Sequence, residues 1–188
     1  MNNNYYPDIV FICLSSFGFR AVDISNPSNP VLLAITPDKG SVKDAVIVRG
    51  RKEFIITASG SGTTIFEISN LNEPGKLVAR VPTNNSLSVK AVDVNCAGDL
   101  LYFAAIKYGG VAIYDIQKDI KNPELLSIYY SYGVTTVRAS RIKRELVYVA
   151  NGYEGLVALD VSNPRSPIPF FWSAIDDDKE KERRTSGY

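Results

Sequence analysis

The chain has 188 residues, 45% of them apolar and 22% charged, with 21 basic side chains against 20 acidic ones. That is enough for one well-buried domain and short of two, and the near cancellation of charge excludes the bulk electrostatic footprint of nucleic-acid or anionic-membrane binding. Histidine is absent altogether, which removes His-based acid–base catalysis, Ser-His-Asp triads and His-ligated metal centres.

Residues 1–7 (MNNNYYP) lack the basic start and apolar run of a signal peptide and are expected to form a disordered lead. No segment reaches the roughly 18 unbroken apolar residues of a membrane helix, so no transmembrane segment is expected. From Asp8 onward short β-rich runs alternate with turn residues, with no sustained helical period, which predicts an all-β fold. Strands are predicted at 9–14 and 19–24, followed by a turn at Ser25-Asn26-Pro27. Pro30 opens the next strand, 31–35, as Pro74, Pro123 and Pro167 open later counterparts. A proline at a strand start has no ladder donor to lose on an edge, so these strands are predicted to be the outer ones. A different kind of run at 42–48 precedes a new copy of the first strand at 54–58, so the unit is four strands, and further strands follow at 63–68, 76–81, 89–95, 100–105, 111–116, 124–129, 134–142, 146–150, 156–161 and 168–173. Fifteen strands is one fewer than four full sheets, the first unit lacking its innermost strand. Residues 175–188, rich in mixed charge (DDDKEKERR), read as a solvated tail.

One segment recurs. GFRAVDISNPSNP, residues 18–30, returns as GTTIFEISNLNEP at 62–74, GVAIYDIQKDIKNP at 110–123 and GLVALDVSNPRSP at 155–167. The acids that close each copy, Asp23, Glu67, Asp115 and Asp160, are spaced by 44, 48 and 45 residues. Four-stranded antiparallel units with a period near 45 are the pattern of β-propeller blades, since one blade cannot bury both of its faces alone. The first and fourth copies, preceded by FICLSSF and VYVANGYE, resemble the LVIVD repeat; the middle two are looser, with Leu71 and Asp119 departing from the Ser-Asn-Pro turn. The resemblance implies a β-propeller of about four blades over residues 8–174. It also implies a binding or scaffold module, in a cell-surface or extracellular setting if the sequence begins inside a longer chain. The blades either close into a small ring or form an arc of a larger one, completed by another chain or cut from a truncated gene. An arc would expose edges and apolar faces and invite self-association, with Phe170-Phe171-Trp172 the first place to look.

The inner strands share a pattern: Ser41-Val42-Lys43, Ser88-Val89-Lys90 and Thr136-Val137-Arg138 each place a hydroxyl, a valine and a base near the strand start. In a propeller these starts lie on one rim with the turns that carry Tyr108, Tyr153 and Phe17. A ring of Lys43, Lys90 and Arg138 beside Ser41, Ser88, Thr136 and those tyrosines would suit an anionic group through charge-assisted hydrogen bonds; alternatively the bases pair with Asp44 and Asp93. The repeated acids fall on different blades, so they are expected to cap turns and not to share a metal ion. Neither a metal nor a cofactor is expected, and Gly60-Ser61-Gly62 joins two strands without the helix start of a phosphate loop. Cys13 and Cys96, 83 residues apart, form no disulfide framework; Cys13 is expected in a small core slot shared with Thr57, Ala105 and Ala150, and Cys96 in a turn. Asn84-Asn85-Ser86 is a glycosylation sequon. The leading expectation is a non-enzymatic module that binds a protein or glycan. The alternatives are an enzyme working through Lys43, Asp44, Lys90 and Asp93, or a truncated copy without independent function.

Overall fold

The computed structural model describes residues 8–38, 40–48, 54–81, 89–105, 110–131, 133–152 and 155–173. They form four antiparallel sheets, each a meander in chain order. Blade 1 holds β1 (Ile9–Cys13), β2 (Phe19–Asp23) and β3 (Val31–Thr36). Blade 2 holds β4 (Val42–Ile47), β5 (Phe54–Ser59), β6 (Gly62–Glu67) and β7 (Lys76–Val81). Blade 3 holds β8 (Val89–Val94), β9 (Leu100–Ala105), β10 (Gly110–Asp115) and β11 (Glu124–Tyr130). Blade 4 holds β12 (Thr136–Ala139), β13 (Leu146–Ala150), β14 (Leu156–Asp160) and β15 (Ile168–Ser173). The proline-led strands β3, β7, β11 and β15 are indeed the outer edges, and no helix among the described residues is long and apolar enough to cross a membrane.

The glycine that opens each repeat has a backbone reason. Gly18, Gly62, Gly110 and Gly155 all have positive φ, +89°, +115°, +153° and +84°, a region that only glycine enters freely. At Gly110 a Cβ would also lie 1.8 Å from the Tyr129 carbonyl oxygen of the neighbouring strand. The inner strand β12 is shorter than the predicted 134–142. Its end is set by Ser140, whose Oγ accepts the backbone N–H groups of Ile142 and Lys143 and turns the chain.

Alternating side chains give every blade one face toward the preceding blade and one toward the next. Phe19 and Phe11 meet Ile55 and Phe66 between blades 1 and 2, the Phe19 and Phe66 rings edge to face at 5.4 Å. Ile56 and Ile65 meet Val92 and Leu101 between blades 2 and 3, and Tyr102 and Ile113 meet Val147 and Leu159 between blades 3 and 4. Each such fully buried side chain contributes about 1.5–3 kcal/mol of apolar transfer.

A second device ties the blades at their circumference. The turns leading into β7 and β15 reach back onto the outer strand of the preceding blade. The Leu71 carbonyl accepts from Ala34 N–H at 3.1 Å, and Gly75 N–H donates to Thr36 Oγ1 at 2.7 Å. Ile120, buried, belongs to the core cluster against which Val78 and Ala79 of β7 pack. The Pro164 carbonyl accepts from Ser127 Oγ at 2.6 Å, beside an exposed Arg165–Glu124 ion pair at 2.6 Å. The signature turn of the repeat is thus an inter-blade staple.

Among the described residues, the outward faces of blade 1 and blade 4 are exposed. On blade 1, Val10 is 43% exposed, whereas the residues at the same register position in the later blades, Ile55, Leu101 and Val147, are 0% exposed. On blade 4, Tyr148 is 40% exposed, whereas its counterpart Tyr102 is 0% exposed.

Candidate functional site

The rim where the inner strands begin is laid down by backbone geometry. The turn of blade 1 meets the start of β4: Val42 N–H donates to the Ser15 carbonyl at 2.9 Å, and the Ser15 and Ser41 hydroxyls bond at 2.7 Å. The pairing of β4 slips between Val42 and Asp44 and that of β8 between Val89 and Ala91. Lys43 and Lys90 therefore both occupy β-bulges, which take a side chain off the ladder and re-aim it. Lys43 is exposed and Lys90 half-buried. Phe17 and Tyr130 stand on the same rim, each 73% exposed.

Arg138 is not the third member of that set. Thr136 pairs with Ala150 and Arg138 with Tyr148, which places Arg138 at the register of Asp93, not of Lys90. The likeness of Thr136-Val137-Arg138 to the two Ser-Val-Lys triplets is one of sequence; β12 has no bulge to make it structural. Arg138 instead crosses the inner face of blade 3, its Nη1 donating to Asp44 Oδ2 of blade 2 at 2.9 Å and lying 3.4 Å from the Val92 carbonyl. Ser88, Tyr108, Tyr153 and the sequon at 84–86 lie outside the described residues.

The inner-strand carboxylates are occupied in joining blades. Asp44 accepts from Ala45 N–H at 3.0 Å and Val92 N–H at 3.3 Å in addition to Arg138. Asp93, buried, accepts from Val94 N–H and, on blade 4, Ala139 N–H, both at 2.9 Å, with Arg141 at 3.2 Å. Asp38, on the loop after β3, buries its carboxylate against blade 2, accepting from Thr57 Oγ1 at 2.8 Å with Arg80 at 3.6 Å. Sequence reading missed Asp38; the signal was the threonines Thr57 and Thr64 at core positions that are valines, Val149 and Val157, in blade 4.

The repeated acids cap their turns. Asp23, Asp115 and Asp160 accept the N–H two residues on, from Ser25, Gln117 and Ser162, at 2.7–2.8 Å. The bond from the Ser25 backbone holds Asp23 below the ordinary aspartate pKa, and the Ser162 hydroxyl does the same for Asp160. Arg165 likewise lowers Glu124. Cys96 lies in the turn closed by Gly98 N–H to the Asn95 carbonyl. Cys13 shares its register position with Ala58, Ala104 and Ala150, so the slot is small although Thr57 and Ala105 are one place off it. Burial, then the nearby Asp44 charge, pushes the Cys13 thiol up, the opposite of what an activated thiolate needs.

On the opposite rim, a cleft of about 290 Å³ lies between blades 3 and 4, lined by Asp99, Asp115, Leu126, Arg144, Glu145 and Pro164 among others. Its arginine is engaged: Arg144 bonds Asp99, which Asn95 holds from the other side at 2.5 Å. Among the described residues no three acidic or cysteine side chains converge as a metal site would require.

Sequential four-stranded meanders, stapled edges and a glycine-opened repeat define a β-propeller-type protein. The LVIVD repeat model matches residues 8–36 and 142–171, which lie in the first and last blades. No curated protein matches the sequence. Among solved structures, the chain is similar to the Cps50 (Swd1) β-propeller domain of Myceliophteria thermophila, with 13% identity and a TM-score of 0.71 over 92% of this chain and 56% of that one. A Lactobacillus plantarum protein gives 10% identity and a TM-score of 0.72 over 89% and 54%. A Bacteroides uniformis protein named as a candidate 6-phosphogluconolactonase gives 14% and 0.71 over 92% and 55%. The likeness is one of fold, and the chain spans a little over half the length of each.

Proposed function

We propose that the chain is a non-enzymatic propeller module that binds a protein or glycan partner bearing negative charge, through the rim where the inner strands begin. The observation that carries this reading is the division of labour among the charges. Asp44 and Asp93, the acids of the only cluster with catalytic potential in the sequence, are held by backbone N–H groups and guanidinium groups of neighbouring blades. A general base needs an available lone pair within reach of substrate, and these carboxylates are committed to architecture. Lys43 and Lys90 sit on bulges along a rim that also presents Phe17 and Tyr130; ammonium groups suit an anionic partner through charge-assisted hydrogen bonds, and exposed aromatics are enriched where proteins bind.

The test is retention of the purified chain on immobilised polyglutamate and on a sulfated polysaccharide in a salt gradient. The double variant Lys43→Ala/Lys90→Ala should elute at distinctly lower salt from at least one matrix. Arg138→Ala should elute as the parent does while melting at lower temperature, because its guanidinium is spent on Asp44. Equal elution of parent and double variant on both matrices refutes the reading.

A further inference from the structure

We propose that two copies of this chain join head to tail into one closed ring, blade 4 of each packing on blade 1 of the other. This does not depend on the rim reading above. It rests on the two end faces, which are the same surfaces that form every internal blade junction.

The head face is blade 1. Val10 and Ile12 are each 43% exposed there, while the residues at their register positions are 0% exposed under the preceding blade, Ile55, Leu101 and Val147 for Val10, Thr57 and Val149 for Ile12. Arg20 shares this face, and its Nε is buried without an acceptor among the described residues. The turn of blade 1 has no staple engagement among the described residues: Pro27 is exposed, whereas its repeat counterparts Leu71 and Pro164 accept from the outer strand before them and Ile120 is buried.

The tail face is blade 4. Tyr148 is 40% exposed and Leu156 41%, and Phe170 of the outer strand is 60% exposed. Phe170 falls in the bulge of β15, the position of Leu126 in β11, and Leu126 lines the cleft between blades 3 and 4 together with the staple residue Pro164. A second copy would bring Pro27 to Phe170 as Pro164 comes to Leu126, a proline against an aromatic ring.

The occupant follows from this repetition. A tail face accepts a head face three times within the chain, and a second copy presents that same head face. Curvature agrees, since the arc overlays structures at TM-scores of 0.71 and 0.72 while covering 56% and 54% of their length, so each arc turns through about half a ring. A head-to-tail contact is heterologous, and such contacts must close or else grow into fibres; two half-turn arcs close.

The test is sedimentation equilibrium of the 188-residue chain with head and tail variants. The parent should be a discrete dimer. Ile12→Asp (head) and Tyr148→Asp (tail) should each weaken dimerisation by at least about a hundredfold, a charge now being buried at both junctions, with the circular dichroism spectrum unchanged because both sites are exposed in the single chain and with a melting temperature that no longer rises with protein concentration. Mixing the two variants should restore a heterodimer, since one junction then joins an intact head to an intact tail. Should either aspartate variant misfold, Val10→Ser and Leu156→Ser replace it. A monomeric parent, fibres, or a dimer that survives the head variant and so pairs tail to tail would each overturn the proposal.

Discussion

Asp93→Ala removes the carboxylate that ties blade 3 to blade 4 and leaves two backbone donors behind. Val94 N–H and Ala139 N–H both lose an acceptor at 2.9 Å in a place where Asp93 itself is 1% exposed. Hydrogen bonds to a charged group contribute about 1.5–3 kcal/mol each, and orphaned buried donors cost more than a bond exchanged for water. The two bonds are not independent, so the expected loss is about 3 kcal/mol. Arg141 is half exposed and adds at most about 0.5 kcal/mol after solvent screening. At a urea slope of about 2.5 kcal/mol/M, the midpoint should fall by a little over about 1 M. Asp93→Asn keeps an oxygen for one donor but loses the charge, and should cost roughly half as much. Urea titrations followed by circular dichroism read both values. A loss below about 1 kcal/mol for alanine, or equal losses for alanine and asparagine, would refute the view that this carboxylate is a joint between blades.

Tyr102 carries a buried hydroxyl without a hydrogen-bond partner among the described residues, so Tyr102→Phe should raise stability by about 1 kcal/mol in thermal melts. Burial also pushes the Tyr102 pKa well above its ordinary 10.0; the unfolded chain therefore releases this proton first, and stability falls as pH rises past that value. The phenylalanine variant should show a shallower alkaline decline, and an unchanged slope would count against the assignment. Gly110→Ala drives a Cβ to 1.8 Å from the Tyr129 oxygen and should cost about 3 kcal/mol or more, whereas Gly60→Ala, 3.8 Å from its nearest neighbour, should stay within about 0.5 kcal/mol of the parent. Denaturant titrations of the pair separate a close-packing requirement from a general glycine effect.

The sequence carried the parts of this fold that local chemistry decides. Pro30, Pro74, Pro123 and Pro167 announced outer strands because a missing donor is tolerable only there, and Asp23 and Asp160 announced caps because their side chains bond two residues on. What it concealed was long-range. Arg138 and Asp44 are 94 residues apart, and nothing in either neighbourhood signals the other. The three hydroxyl-valine-base triplets looked equivalent because composition repeats, yet pairing registers set two of them on bulges and the third two places further along its strand. Tyr102 and Tyr148 share a register position and residue type, and only the presence of a following blade makes one core and the other surface.

The staples have a direction, and that direction bears on how the chain is made. Ser127 waits for Pro164, and Ala34 for Leu71, each 37 residues downstream. A nascent chain leaving the ribosome therefore holds every blade in a provisional state until the turn of the next one has emerged. Blades are finished from the first toward the last, each one locked by its successor. A pause or a premature stop within any repeat would strand the preceding blade with its outer strand untied, and quality-control proteases that seek loose strand edges would find that blade, two or three strands upstream of the break.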